Sequence, residues 1–130
     1  MDTDTATLHQ CFEKLAQQDI DLAPAVYERF TASAPESAEH LAIMDSRMRG
    51  RMLDQVYQLL LGETDDNYLA FETHMHRGYG ANPKLYRSLL IAVKDAARDS
   101  LAGDWCAADE SAWNRSIAQL IGEIETLENN

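Results

Sequence analysis

Apolar residues recur along this chain at three- and four-residue spacings, and no segment alternates convincingly with the two-residue period of a strand. Leu8, Cys11, Phe12 and Leu15 fall on one helical stripe. Leu22, Val26, Tyr27 and Phe30 make the next, with Asp21 placed to cap it. Pro24 is tolerated in that first turn, where amides lack an intrahelical partner. Ser33-Ala34-Pro35-Glu36 reads as a stop and a restart, leaving a short piece over 35–41. Asp45 or Ser46 opens a longer helix with Met48, Met52, Leu53, Val56, Leu59 and Leu60 on one wide face, and Gly62 ends it as a left-handed cap does. Asp66 is the expected cap of a helix over about 67–78, stopped by Gly78 and Gly80. Asn82-Pro83 sets a cap before a proline at the first helical position. Leu85, Leu89, Leu90, Val93, Ala97 and Leu101 carry that helix to Gly103, and Trp113, Ile117, Leu120, Ile121, Ile124 and Leu127 mark the last one. The pattern predicts six or seven helices and nothing else.

A chain of 130 residues with 45% hydrophobic content predicts one domain, 1–130, around one core. The helices are uneven in length, which favours an all-α globin-like packing over an up-down bundle. No apolar run approaches the roughly 20 residues that span a membrane. The opening MDTDTATLHQ is acidic and lacks the basic-then-apolar pattern of a secretion signal. Cys11 and Cys106 form no CxxC pair, so the expectation is a cytoplasmic chain with reduced thiols.

Net charge is −11. Nucleic-acid affinity rests on clustered Lys and Arg, so a phosphate-backbone ligand is disfavoured, as is an anionic membrane. Solubility is the simplest account of the acidity, with a basic protein partner left open. Catalytic signatures are sparse: there is no HExxH, phosphate loop, GxSxG or dinucleotide fingerprint, and Asp65-Asp66-Asn67 is too short for a calcium loop.

The segment HMHRGYGANPKLY at 74–86 holds two of the four histidines. By itself His76 reads as a solvated histidine near a helix C-terminus, where the dipole favours its protonated form. His74 points about 200° away around the same helix. The spacing His76, Gly80, Pro83, Tyr86 resembles that of bacterial single-domain globins and the haem domain of flavohaemoglobins. VYERFTASAPE (26–36), with Tyr27 eight residues before Pro35, is similar to the family's second helix. MRGRML (48–53) resembles the start of its distal helix and AWNRSIAQLIGEI (112–124) its last. The likeness runs from about residue 8 to 128.

The resemblance implies haem b as cofactor, with His76 on the iron from the proximal side and Tyr27 over the distal face as a donor to bound oxygen. Tyr86 and Glu128 then match a proximal hydrogen-bond network that orients the imidazole and raises its basicity. Leu41 stands where the family has a haem-facing phenylalanine, Met48 where it has a distal glutamine or histidine, and Glu72 where it usually has an apolar contact. Met52, one turn on, is expected to line the pocket too, and the two methionines can exchange roles. Core packing is the alternative for both, as a satisfied core hydroxyl is for Tyr27. His74 is the first substitute ligand, and His40 is read as a surface residue beside Leu41. The implied function is reversible binding of a diatomic gas (O2, NO or CO). A reductase domain does not fit within this length, so nitric-oxide oxidation would draw on a separate reductase. The alternative is a sensor or regulatory module acting through a protein partner, with or without haem.

Overall fold

In a computed structural model of the chain, the described residues are 3–63 and 83–128. They form six α-helices and no strand, an all-α architecture consistent with a globin-like fold. The helices are α1 (Thr3–Gln17), α2 (Ala23–Ser33), α3 (Ser37–Ala42), α4 (Ser46–Leu60), α5 (Pro83–Leu101) and α6 (Ala107–Glu128), with one 3-10 turn over Ala102–Asp104. The expected helix over 67–78, its cap Asp66, and His74, His76, Gly78, Gly80 and Asn82 lie outside the described residues. No described helix is long and apolar enough to cross a membrane.

The helix ends follow local chemistry. Asp21 Oδ1 accepts the Ala23 amide at 3.0 Å at the start of α2, and Pro24 sits in its first turn. Asp45 caps α4 by accepting the Met48 amide at 2.9 Å. Gly62 closes α4 with φ +68°, and the Glu63 amide returns to the Gln58 carbonyl at 2.9 Å, a closure that favours glycine because the left-handed region crowds any Cβ. Asp109, only 7% exposed, accepts the Cys106 amide at 2.9 Å before α6. That cap was absent from the sequence reading, although the acid three residues after Cys106 is its signature.

Helix α2 packs against α5, both α1 and α5 pack on α6, and α4 reaches α6. The expected stripes are largely the buried ones. Leu8, Cys11 and Leu15 on α1, Leu22, Val26, Tyr27 and Phe30 around α2, and Trp113, Ile117, Leu120, Ile121 and Ile124 on α6 all enter one core. Trp113 is fully buried at its centre, with Phe12 at 5.5 Å and Trp105 at 5.8 Å between ring centroids. Its indole N–H donates to Cys11 Sγ at 3.5 Å, joining α1 to α6. Burial pushes the Cys11 thiol up, so it behaves as a small core hydrophobe rather than a nucleophile.

Candidate functional site

Three helices meet at the corner where α3 turns into α4. Tyr27 comes from the middle of α2 and is 8% exposed. Its hydroxyl donates to the Arg49 carbonyl at 2.7 Å, in the first turn of α4. Burial pushes the phenol up to about 12, and the Arg49 guanidinium opposes that shift more weakly. The same guanidinium lies 5.9 Å from the Tyr27 ring centroid, a cation–π distance. Its NH2 donates to the Leu41 carbonyl at 2.7 Å, and that carbonyl also accepts the Met44 amide at 3.0 Å. Arg49 thus ties the end of α3 to the start of α4 while packing beneath Tyr27.

Leu41, which the resemblance sets at the haem edge, is buried. Met52, one turn beyond Arg49, is partly buried against the core. Tyr86, on the first turns of α5, is also partly buried against it. Met48 differs from the expected pattern. The buried stripe of α4 is Leu53, Val56 and Leu60, and Met48 lies roughly 100° around the helix from it. It is therefore 48% exposed, so the wide apolar face read from the sequence is narrower at its N-terminal end. His40 and Glu128 belong to α3 and α6, but their side chains fall outside the description, and His76 lies in the segment between α4 and α5.

The structure therefore links Tyr27 and Leu41 through Arg49, with Met52 three residues farther along α4. That arginine was missed: a charged residue between Met48 and Gly50 gives no periodic signal, and only the angle at the α3–α4 corner aims it at a carbonyl eight residues back. Among the described residues no group of three or more His, Cys, Asp or Glu side chains is placed to hold a metal ion. A single-imidazole iron ligand of the kind expected at His76 would not form such a group. Comparison of the chain with protein-family models and with curated proteins found no match to either.

Proposed function

We propose that the chain is a haem-binding, globin-like protein that reversibly binds oxygen or another diatomic gas. What carries the reading is Tyr27: a buried phenol on α2 whose hydroxyl stands at the first turn of α4, beside the buried Leu41. In the sequence resemblance Tyr27 is the distal donor and Leu41 the contact at the haem edge, and the packing of α2 on α5 and of α1 and α5 on α6 is compatible with both. The donor set fits haem chemically. His76 offers an imidazole for the iron, while Leu41 and Met52 offer apolar or polarizable surface to the porphyrin. When bound, the group supplies an iron that takes up the gas.

The residues of the chain do the rest. Tyr27, like any phenol, is protonated at neutral pH and is a hydrogen-bond donor there, and burial pushes its ionisation up to about 12. Its single proton is given to the Arg49 carbonyl, so donation to a ligand requires the hydroxyl to rotate away. Arg49 holds the corner while that happens. Met48 is half exposed, and the resemblance groups Tyr86 with His76 on the proximal side.

A visible spectrum after haem addition tests the proposal. A Soret band is expected in the native chain and lost in His76→Ala, and gas is expected to dissociate faster from Tyr27→Phe. Absence of a band in the folded native chain overturns the reading. The second reading is a regulatory module that works through a protein partner. The commitment of the Tyr27 proton to the α4 backbone favours it, because the hydroxyl is then a structural strut.

A further inference from the structure

The described arginines divide sharply by location. Outside α4, Arg29 pairs with Asp99 at 2.7 Å, Arg87 with Glu125 at 3.4 Å, Arg98 with Asp95 at 3.1 Å, and Arg115 with Asp4 at 2.7 Å. Within α4, Arg47, Arg49 and Arg51 form no ion pair with another described residue, in a chain that carries 22 acidic residues against 11 Lys and Arg. Arg49 is absorbed by the Leu41 carbonyl and the Tyr27 ring. Arg47 and Arg51 are exposed, one turn apart on the same face of α4. Asp54 follows one turn later on α4 and pairs with neither.

The same corner exposes apolar surface. Ile43, four residues before Arg47, is 80% exposed, and Met48 between the arginines is 48% exposed. The remaining large exposed hydrophobic, Ile91, lies in a groove between α5 and α6 whose arginine, Arg87, is already answered by Glu125. At the α4 corner both the apolar groups and the cations are unsatisfied. The corner is also held in shape from within by the Asp45 cap and by the bonds from Arg49 to Leu41 and from Tyr27 to Arg49, so docking there costs little ordering entropy.

We propose that Ile43, Arg47 and Arg51 form a docking surface for a protein partner that presents carboxylates around an apolar contact. Charge complementarity selects that chemistry. Guanidinium groups recognise carboxylates in a bidentate geometry, and an apolar centre with a charged rim is the usual anatomy of a protein interface. A nucleic acid or extended anionic bilayer would bring many phosphates against a molecule of net charge −11. A protein partner confines its negative charge to the contact, and the rest of the acidic surface is screened beyond about 8 Å at physiological salt. The inference is independent of haem.

The probe is an acidic amphipathic helical peptide of Glu, Ala and Leu, titrated into the isotopically labelled full chain and followed by amide NMR shifts. Its Lys-for-Glu counterpart is the control. Shifts are expected to centre on 43–51, and the lysine peptide to leave them unmoved. The double variant Arg47→Glu, Arg51→Glu weakens binding at least about tenfold, the size expected for lost charged contacts. Ile43→Ser weakens it by several-fold, and raising the salt weakens the native chain but not the double variant. These side chains have no partners to lose, so helicity by circular dichroism stays unchanged. An affinity within about twofold of native in the double variant overturns the proposal, as do shifts centred elsewhere. A native chain that binds vesicles of phosphatidylglycerol and phosphatidylcholine while ignoring the peptide assigns the arginines to a lipid surface and overturns it equally.

Discussion

The assembly of α1, α5 and α6 and the α3–α4 corner use their cations in different ways. In the first, Lys94, whose side chain is 13% exposed, is bound to both Glu110 and Asn114, and Arg115 holds Asp4 through two bonds. Those contacts hold the Glu110 and Asp4 carboxyls below their usual range, the hydrogen bonds from Lys94 and Arg115 being the main causes. In the second, Arg49 is spent on a carbonyl and a ring, while Arg47 and Arg51 face solvent. The contrast separates structural from functional use of the same side chain. Charges that clamp neighbouring helices are answered within the fold. Charges left over at a rigid corner are available to something outside it.

The comparison can be broken most severely at the centre of the helical scaffold. Trp113→Ala removes a fully buried indole, its two ring contacts and its bond to Cys11, and should cost about 3–5 kcal/mol in urea unfolding. That is a large share of the roughly 5–15 kcal/mol typical of a domain. Lys94→Ala removes the ion pair to Glu110 and the bond to Asn114, both solvent-accessible, and should cost about 0.5–1 kcal/mol. A loss below about 0.5 kcal/mol there would erase the distinction between clamped and free cations.

Tyr27→Phe should cost about 1 kcal/mol at neutral pH, since it deletes one hydrogen bond and leaves the ring in place. Its pH dependence sharpens the assignment. The native phenol ionises at about 12 and the unfolded one near 10, so over that window the unfolded state sheds its proton first. The stability contributed by the buried neutral phenol is complete below pH about 10 and is lost as pH rises toward about 12. Tyr57, whose phenol burial also pushes up, adds a loss of the same sign. Urea midpoints measured across pH 9–12 should therefore fall more steeply in the native chain than in Tyr27→Phe. The smallest effect belongs to the free arginines: Arg47→Ala and Arg51→Ala should each leave stability within about 0.5 kcal/mol by chemical denaturation.

Much of the scaffold was legible in advance because burial at 3.6-residue periodicity is a local signal. The stripes of α1, α2 and α6, the Asp45 cap and the Gly62 closure could be placed from neighbouring residues alone. The sequence reading also placed Tyr27 on the buried stripe of its helix from spacing alone, whereas its grouping with Leu41 came only from the resemblance. It erred at Met48 because an apolar residue in a first turn continues a stripe on paper, whether or not a neighbouring helix covers it. It passed over Arg49 for the converse reason, since a charged side chain becomes structural only when another element supplies an acceptor.

By itself the order of residues determined that this chain is helical, where the described helices begin and end to within a few residues, and which faces turn inward, because those properties depend on contacts a few positions apart. Tertiary structure decided the rest. Whether the Tyr27 hydroxyl meets a backbone carbonyl, which arginines find carboxylates, and which are left facing outward depend on the angles at which distant helices cross. Hydrogen bonds and ion pairs act over about 3–4 Å, so a difference of a few ångströms in packing, invisible to any local pattern, changes the role of a side chain entirely.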